Sequence, residues 1–447
     1  MRVSYNGYYI SFPRKRREFD SLHPHQETRT NARIRCSFLK WGREKTRAFL
    51  LGILCFTLCC VGFLSPNATS ANALPAPEVA LSSPRVIIYN LNDDKVLYEK
   101  DADTEVPVAS LTKIMTAVIV LENNFSATQT VTITTDMLEN LEEFSIVGLK
   151  VGQQISVDEL MYALMLPSAG DAAQALAINV SGSLDDFVTK MNQKVQELGL
   201  KHTHFSNAVG FDDNNYSSAR DIALLTKYAL NVPNFRTYFE ANEHFLPSLN
   251  QTVTKTVSDT AKKYGLNTDV ILGAKTGYTN AAGINLASTS VSLKNVNYLA
   301  VNLNAPVGTP DNITDTLKLY HYYDDNYSYR TVKNTGEGIM DISVRDSSQK
   351  IYTLTAPAEI KIFLPNDLDL ARLQYSYDGI SEIPRGTAEG DYLGKITVSL
   401  DGENLSSFDV YLAQKIDFYP YELWIGGGIV TTVIVVIIIV RRTRRRV

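Results

Sequence analysis

Residues 109–118 read ASLTKIMTAV and place a serine, Ser110, three positions before a lysine, Lys113, at the start of an apolar helical run. Side chains three residues apart share one face of a helix, so the Lys113 amine can reach the Ser110 hydroxyl. A serine needs a base to become a nucleophile, and a lysine serves when burial and nearby positive charge lower its pKa. Free backbone N–H groups at a helix start also stabilise a developing oxyanion. The stretch therefore predicts a nucleophilic serine with a lysine base.

A second motif, GAKTGYT at residues 273–279, follows the strand-like residues 270–272. A glycine on a strand beside a cleft lets an extended peptide lie against the backbone. Lys275 and Thr276 then offer a cation and a hydroxyl to a terminal carboxylate. The motif is not a phosphate-binding loop, because Ala274 stands directly before Lys275, where that loop requires glycine.

The third motif is the stretch LMLPSAGDAA, which contains Ser168 as its fifth residue. The Ser-x-x-Lys spacing alone decides little, since Ser37 with Lys40 and Ser347 with Lys350 share it without opening an apolar helix. The three motifs together are more specific. Ser-x-x-Lys, a middle serine motif and Lys-Thr-Gly, in that order, are the signature of penicillin-binding proteins and class A β-lactamases.

Within that superfamily the chain resembles the D-alanyl-D-alanine carboxypeptidase family, peptidase family S11. The resemblance is carried by residues 107–116, 198–200, 203–207 and 275–283, which read PVASLTKIMT, LGL, THFSN and KTGYTNAAG, and it extends from about residue 80 to residue 306. It implies an α/β (α+β) catalytic domain of the serine β-lactamase/penicillin-binding-protein type. A small all-β domain and a C-terminal transmembrane helix would follow.

The resemblance also implies a serine-type D-Ala-D-Ala carboxypeptidase that removes the terminal D-alanine of peptidoglycan pentapeptide stems through an acyl-enzyme on Ser110. Lys113 would take the proton of Ser110, and Ser168 with Lys275 would pass a proton to the leaving D-alanine. β-Lactams would acylate the same serine as covalent inhibitors, and neither a metal nor an organic cofactor would take part. The implied substrate-binding residues are Lys275, Thr276, Gly277, Tyr278 and Gly170, with the backbone N–H groups of Ser110 and Tyr278 holding the oxyanion.

Gly170 departs from the family pattern, in which the middle motif reads Ser-x-Asn. In the family that asparagine binds a peptide carbonyl of the substrate and helps to order the lysine that Lys113 matches. Its absence predicts weaker substrate orientation, with nucleophile and base intact. The next residue, Asp171, is expected to cap a helix.

The hydrophobic pattern changes once between the two ends of the chain, near residues 327–330. Before that point residues 113–121 and the Ala-rich residues 160–180 have helical spacing, and residues 296–303 alternate as a strand does. After it the sequence predicts short strands separated by turn residues, at 339–344, 360–364, 393–400 and 407–412.

Both ends of the chain predict contact with a membrane. Apolar residues 48–64 follow basic residues and precede Ala71-Asn72-Ala73, the pattern of a signal peptide cleaved after residue 73. All four cysteines lie in that leader. Residues 423–440 contain 18 uncharged residues and are followed by five arginines, which predicts a single spanning helix with its tail in the cytoplasm and the body outside. A spanning anchor of this kind resembles the Gram-positive members of the family.

The predicted divisions are 1–73 cytoplasmic n-region and signal peptide, 74–326 catalytic domain, 327–415 all-β stalk and 416–447 anchor with an Arg-rich tail.

The charge distribution excludes nucleic acid as a partner. The chain has a net charge of −5 although both ends are basic, so the body between them is acidic, whereas a phosphate-binding surface needs positive charge on the folded domain. His202 and His204 stand apart from any acidic cluster in the sequence and do not predict a metal site. The expected partners are the D-Ala-D-Ala stem peptide, β-lactams and the cytoplasmic membrane.

Two other functions remain open from the residues alone. A β-lactamase-like hydrolase needs a device for fast deacylation, and no glutamate motif of the class A kind follows Ser168. A non-catalytic protein that binds the cell wall or penicillin would explain Gly170 as a mark of lost activity. The joint presence of Ser110, Lys113 and Lys275 favours the enzyme.

Overall fold

The computed structural model describes residues 77, 79–123, 126–142, 144–419 and 421–444 of the 447-residue chain. The chain divides into two compact units, Met1–Ala71 and Asn72–Val447, and every described residue belongs to the second. The predicted signal peptide and the four cysteines therefore lie outside the described residues.

The N-terminal region mixes strands with helices. Its strands are β1 (Arg85–Asn90), β2 (Lys95–Lys100), β3 (Val106–Pro107), β4 (Thr130–Thr132), β5 (Gln154–Ser156), β6 (Tyr216–Ser217), β7 (Glu243–Leu246), β8 (Gln251–Thr254), β9 (Ile271–Thr279), β10 (Gly283–Val291) and β11 (Asn297–Ala305). Its α-helices are α1 (Thr112–Glu122), α2 (Val157–Met165), α3 (Gly170–Ser181), α4 (Leu184–Glu197), α5 (Ala219–Ala229), α6 (Phe235–Glu240), α7 (Thr256–Tyr264) and α8 (Asp311–Asn326). Short 3-10 helices span Ala109–Leu111, Asp136–Leu138 and Pro247–Leu249.

A five-stranded antiparallel sheet, in the order β2-β1-β11-β10-β9, organises this region. The alternation predicted for residues 296–303 is confirmed as β11. Leu299 and Val301 face one apolar cluster with helix α5, while Tyr298 and Ala300 face another with helix α8. Both faces of the sheet are therefore buried, and the architecture is three layers of helix, sheet and helix.

Helix α1 lies inside the helical layer and confirms the helix predicted at 113–121. Ten of its eleven residues are buried, including Met115 and Val118. A helix that is buried all round belongs to the core, so its N-terminus is a fixed point from which a side chain can be aimed.

The helical spacing predicted at residues 160–180 is confirmed, with one interruption. The structure has two helices, α2 and α3, separated by residues 166–169. Pro167 lacks a backbone N–H and disfavours helical backbone at the residue before it, so α2 ends there. Ser168 follows in the left-handed region with φ 64°, and the break places its side chain between the helices.

Beyond helix α8 the elements are strands, apart from the 3-10 helix Leu370–Arg372 and the C-terminal helix. They are β12 (Tyr327–Lys333), β13 (Gly338–Val344), β14 (Ile351–Thr355), β15 (Ile360–Pro365), β16 (Gln374–Gly379), β17 (Glu382–Ile383), β18 (Tyr392–Leu400) and β19 (Glu403–Tyr411). These form three small sheets, β12-β15, β14-β13-β17 and β16-β18-β19. The strands expected at 339–344, 360–364 and 393–400 are confirmed. The strand expected at 407–412 begins four residues earlier, at Glu403. The division of the chain into domains stays a prediction.

Aromatic side chains join the two regions where helix α8 gives way to β12. The ring of Tyr327 lies 5.0 Å from that of Tyr323 on α8 and 5.5 Å from that of Phe363 on β15. All three belong to the apolar cluster beneath the large sheet. The all-β region therefore shares part of its core with the sheet that holds the site.

The predicted anchor coincides with helix α9 (Tyr421–Arg444). Within the part of the chain that the structure describes, none of the helices combines the length and the hydropathy needed to cross a bilayer. The predicted transmembrane helix is therefore not confirmed.

Candidate active site

Ser110 lies in the one-turn 3-10 helix that leads directly into α1. Ala109 before it has φ 49°, a left-handed conformation that is strained for alanine. The Nζ of Lys113 donates a hydrogen bond to the Oγ of Ser110 at 2.9 Å and another to the backbone oxygen of Val209 at 2.8 Å. The turn therefore aims the serine at the lysine one turn further on, as the spacing predicts.

The Lys113 side chain is fully buried. Burial lowers its pKa well below the usual lysine range, the positive charge of Lys275 lowers it further, and Asp171 acts weakly in the opposite direction. A neutral amine at hydrogen-bond distance from a hydroxyl can accept its proton. The fold therefore supplies the condition that a lysine base requires.

A second serine and lysine meet across the site. The Nζ of Lys275, on strand β9, donates to the Oγ of Ser168 at 2.8 Å and to the backbone oxygen of Thr276 at 3.1 Å. Lys275 is 1% exposed, and burial lowers its pKa to about 7. At neutral pH its amine can therefore exist in either protonation state.

Ser110, Lys113 and Ser168 border one cleft with a volume of about 600 Å³. The other residues singled out from the sequence that line it are Thr276, Gly277 and Tyr278. Lys275 and Gly170 do not line the cleft, whereas Phe144, Phe211, Asp213 and Thr256 do and were missed. The first three of these lie in loops without a periodic pattern or motif, and Thr256 is the first residue of helix α7.

The two glycines of the second motif are required by different contacts. A Cβ on Gly277 would lie 2.7 Å from the oxygen of Val108 and 3.1 Å from the nitrogen of Ser110, so this glycine lets β9 approach the nucleophile. A Cβ on Gly273 would lie 2.2 Å from the Cδ1 of Phe239. Gly273 therefore makes room for a phenyl ring of helix α6.

The departure at Gly170 has a local explanation. A Cβ at this position would lie 2.9 Å from the Cβ of Phe144, and the Gly170 N–H donates to the backbone oxygen of Ser145 at 2.7 Å. The loop that carries Phe144 thus packs directly onto the backbone of the middle motif. A side chain at position 170 and this loop conformation exclude each other.

Asp171 is not the N-cap of helix α3, contrary to the expectation from the sequence; the N-cap is Ala169. The buried Asp171 carboxylate accepts the first-turn N–H of Ala172 at 2.9 Å and also the N–H groups of Val147, Gly148 and Leu149 at 3.2, 2.9 and 3.1 Å. It therefore fixes the loop that follows Phe144. Sequence reasoning missed this because the partners lie more than 20 residues upstream in an irregular segment.

The two histidines considered in the sequence have separate surroundings. The Nδ1 of His202 lies 3.2 Å from a carboxylate oxygen of Glu105, and the His204 ring lies 5.7 Å from that of Tyr216. Among the residues that the structure describes, no group of three His, Cys, Asp or Glu side chains is arranged to hold a metal.

A serine hydrogen-bonded to a buried lysine of lowered pKa, a second serine–lysine pair and an adjacent glycine-containing strand define the chemistry of serine acyl transfer. Comparison with known proteins agrees with this geometry. The family model described as D-alanyl-D-alanine carboxypeptidase, Peptidase_S11, matches residues 69–307. The chain belongs to this family and is a serine-type carboxypeptidase of the penicillin-binding class.

Individual relatives support the assignment. D-alanyl-D-alanine carboxypeptidase DacF of Bacillus subtilis is 27% identical over 375 residues, which are 81% of this chain and 91% of the relative. D-alanyl-D-alanine carboxypeptidase DacA of Escherichia coli is 34% identical over 252 residues, covering 52% of this chain and 60% of that protein. The structure of penicillin binding protein 5 from Haemophilus influenzae superposes with a TM-score of 0.60 at 24% identity, over 76% of this chain and 99% of that one. This superposition shows a common fold.

We predict that Gly170→Asn, which restores the family motif, destabilises this protein. The new Cβ would meet the Phe144 Cβ at 2.9 Å, and overpacking of this kind decreases the free energy of unfolding by about 1–3 kcal/mol. Thermal unfolding measures the effect as a lower midpoint. In a protein that already carries Phe144→Gly, adding Gly170→Asn should lower the unfolding midpoint less than it does in wild type.

A matched control is Gly265→Asn, since Gly265 has φ 67° and no atom lies within 4 Å of the position that its Cβ would take. Asparagine tolerates this backbone conformation, so the midpoint should change little. Equal midpoints for wild type and Gly170→Asn would contradict the packing argument.

We predict that the free energy of unfolding rises between pH 7.5 and 9.5 and that Lys275→Met reduces this rise by about 2 kcal/mol. The unfolded chain holds the Lys275 proton up to the ordinary lysine pKa of 10.5, but the folded protein holds it only up to about 7. The unfolded state thus binds more protons in this interval, and raising the pH favours the folded state.

Urea unfolding at the two pH values measures the difference. Lys262→Met, which removes an exposed lysine, is the control and should keep the wild-type pH dependence. Parallel pH dependences for wild type and Lys275→Met would show that Lys275 remains protonated in the folded state throughout this range.

Proposed function

We propose that this protein removes the terminal D-alanine from peptidoglycan stem peptides through an acyl-enzyme on Ser110. The observation that carries the proposal is the fully buried amine of Lys113, with its lowered pKa, 2.9 Å from the Ser110 hydroxyl. The family supports the D-Ala-D-Ala substrate. The roles below are inferred from the geometry.

In the first step the neutral Lys113 amine accepts the Ser110 proton while the Ser110 Oγ forms a bond to the carbonyl carbon of the penultimate D-alanine. The carbonyl electrons move to oxygen and create an oxyanion. Backbone N–H groups of Ser110 and Tyr278 are its proposed donors, since Ser110 opens a helix whose first N–H groups have no intrahelical acceptor. Such donors contribute about 3–4 kcal/mol each to transition-state stabilisation.

The second serine–lysine pair is proposed to handle the leaving group. The Ser168 hydroxyl donates its proton to the nitrogen of the departing D-alanine as the C–N bond breaks. The proton on Ser168 is replaced from Lys275, with which it shares a 2.8 Å hydrogen bond. Water then hydrolyses the ester: its oxygen bonds to the acyl carbon, and the Ser110 Oγ leaves with the proton held by Lys113. The proton lost by the water returns to Lys275 through Ser168, so that the shortened peptide is released and both lysines regain their starting states.

Lys275 and Thr276 are the proposed ligands of the substrate's terminal carboxylate. A carboxylate near Lys275 favours its protonated form, because opposite charges stabilise each other in a buried site. That positive charge in turn keeps the Lys113 amine neutral. Substrate binding would thus favour a protonated Lys275 and a neutral Lys113, the two protonation states that the reaction needs.

A β-lactam places a strained amide beside a carboxylate and would enter the same cleft. Attack by the Ser110 Oγ opens the ring, so the leaving nitrogen stays attached and the whole inhibitor is retained on the serine. This adduct offers a direct assay of the nucleophile.

We predict that the full-length protein gains the mass of one intact penicillin and that Ser110→Ala does not, because only wild type offers the activated hydroxyl. Wild type should also release one D-alanine per peptide ending in D-Ala-D-Ala. Intact-mass spectrometry and a D-alanine assay measure the two activities.

Ser347→Ala is a matched control, since Ser347 belongs to another Ser-x-x-Lys sequence, in the all-β region, where its hydroxyl bonds to the backbone oxygen of Asp417. It should keep both activities. An adduct on Ser110→Ala would overturn the assignment of the nucleophile. An adduct without D-alanine release would favour a penicillin-binding protein without carboxypeptidase activity.

We further propose that the catalytic region works outside the cytoplasmic membrane, with the all-β region 327–415 as a stalk and the C-terminal segment as its anchor. The support is the sequence: 18 uncharged residues at 423–440, with arginines directly after them. In this arrangement the stalk holds the cleft away from the membrane surface.

We predict that the full-length chain sediments with membranes after an alkaline wash, whereas a chain ending at Tyr419 remains in the supernatant. Tyr419 is chosen because the preceding Phe418 packs on the core of the all-β region. Immunoblots of both fractions measure the distribution. A full-length chain in the supernatant would contradict the anchor.

A further inference from the structure

The all-β region carries exposed hydrophobic side chains that the proposed reaction does not use. Among the described residues 327–419, the large hydrophobic side chains that are exposed are Ile351 (58%), Tyr392 (56%), Tyr411 (47%) and Tyr419 (39%). The rings of Tyr392 and Tyr411 pack edge to face with centroids 5.7 Å apart. Exposed apolar side chains that lie together mark a surface that a partner covers.

One end of the all-β region faces the catalytic region. The Nζ of Lys95, on strand β2, donates a hydrogen bond to the backbone oxygen of Leu405. Leu405 lies close to the tip of the β18–β19 hairpin, where Leu400 pairs with Glu403. Leu400 and Leu405 share an apolar cluster with Leu364 of β15, the strand that pairs with β12 directly after helix α8. We call this the proximal end.

The exposed tyrosine pair lies at the other end of the same hairpin. Tyr392 and Tyr411 are partners in the register of β18 and β19, and about 20 Å of extended strand separates Tyr411 from Leu405. The hairpin packs here on a second apolar cluster, to which Leu393 and Val410 belong. The tyrosine pair therefore lies at the end farther from the catalytic region, which we call the distal end.

The other two exposed side chains lie at the distal end as well. The Tyr419 N–H donates to the backbone oxygen of Asp346 at 2.6 Å, in the turn that leads to Ile351, the first residue of β14. The next residue, Tyr352, belongs to the second apolar cluster, and its hydroxyl accepts the N–H of Ala413, two positions after β19, at 2.8 Å. The turn and the hairpin end are thus bonded to each other. We call the four exposed side chains the distal surface.

The chain leaves the all-β region at this end. Residue 423, where the 18 uncharged residues begin, comes four positions after Tyr419. An extended residue spans at most about 3.5 Å, so Tyr419 lies within about 14 Å of that segment. The polar headgroup layer on each side of the hydrocarbon core is about 5–8 Å thick. With the segment in the membrane, the distal surface lies at or next to the headgroup layer.

The charges around the distal surface are mixed. The Nζ of Lys350 lies 5.3 Å from the centroid of the Tyr419 ring, and Asp391 is exposed beside the hairpin end. Lys415 and Asp417, both exposed, lie 3.8 Å apart. A surface of this kind has no preference for anionic lipid. Tyrosine suits the headgroup layer whatever the lipid charge, because its ring is apolar and its hydroxyl is polar.

We propose that the distal surface docks on the membrane, with Ile351 and the three tyrosines among the headgroups of the leaflet that the C-terminal segment enters. The inference rests on the proposed anchor and goes beyond it, since a short tether alone would leave the all-β region free to tilt. Docking of the distal end removes this freedom. The catalytic cleft is then held at a fixed distance from the bilayer, on the far side of the all-β region.

The experiment uses the full-length protein in phosphatidylcholine vesicles with a tryptophan reporter. Tyr392→Trp places an indole on the distal surface, and Arg372→Trp places one at the proximal end, where Arg372 contacts Asp401 at the hairpin tip. Lipid brominated close to the headgroup quenches an indole that it touches. After subtraction of the wild-type signal from Trp41 and Trp424, we expect quenching and blue-shifted emission for Tyr392→Trp and neither for Arg372→Trp.

A second set of variants separates docking from simple tethering. Adding Ile351→Ser and Tyr419→Ser to Tyr392→Trp removes half of the distal surface and should reduce the quenching toward the level of Arg372→Trp. The matched control is Phe245→Ser, which removes an exposed ring from β7 of the catalytic region and should leave the quenching unchanged. A penicillin adduct and the wild-type unfolding midpoint show that each variant is folded.

The outcomes distinguish the docking from the anchor. With the protein in the vesicle fraction, equal quenching of the two reporters, or no quenching of Tyr392→Trp, would overturn the docking and leave the anchor intact. Quenching that survives the loss of Ile351 and Tyr419, or that requires phosphatidylglycerol in the vesicles, would also overturn it. Wild-type protein outside the vesicle fraction would instead overturn the proposed anchor, and D-alanine release tests the reaction separately.

Discussion

The amine of Lys113 is the group on which the site depends. A charged amine buried at this position would be strongly destabilising, so the fold favours the neutral form, and the Ser110 hydroxyl and the Val209 oxygen are its two neighbours. Helix α1 makes this possible because it is buried all round and cannot move as a surface helix can. The hydrogen bond between Lys113 and Ser110 is therefore a consequence of core packing.

The second constraint is that two lysines share one small site. Burial lowers the pKa of both lysines, that of Lys275 to about 7, and the positive charge of Lys275 also lowers the pKa of Lys113. Groups whose environments separate their pKa values can act as base and cation at the same pH. The pKa of Lys113 therefore depends on the charge of Lys275. This dependence explains why strand β9 must approach the nucleophile as closely as Gly277 allows.

Spacing alone predicts only the contacts that are local in the sequence. Ser110 and Lys113 are one helical turn apart, so their contact follows from spacing. Ser168 and Lys275 are 107 residues apart, and only the resemblance to a known family indicated that they act together. The helical spacing at residues 160–180 did not locate the break between α2 and α3, although Pro167 marks it. Asp171 was misread because three backbone N–H groups of an upstream loop bind its carboxylate, and no local pattern reveals them.

Gly170 illustrates how a departure from a motif can be part of a built site. A motif that had simply decayed would leave space or unpaired polar groups where the family's asparagine stands. Here the backbone N–H of Gly170 is bonded to Ser145, the carboxylate of Asp171 is bonded to the same loop, and the Cβ of Phe144 occupies the space beside the glycine. The loop and the motif fit each other, and the wall of the cleft has an aromatic ring next to this position. The absence of the family's asparagine is therefore matched by the packing of the Phe144 loop, while the hydrogen bond between Lys113 and Ser110 is kept.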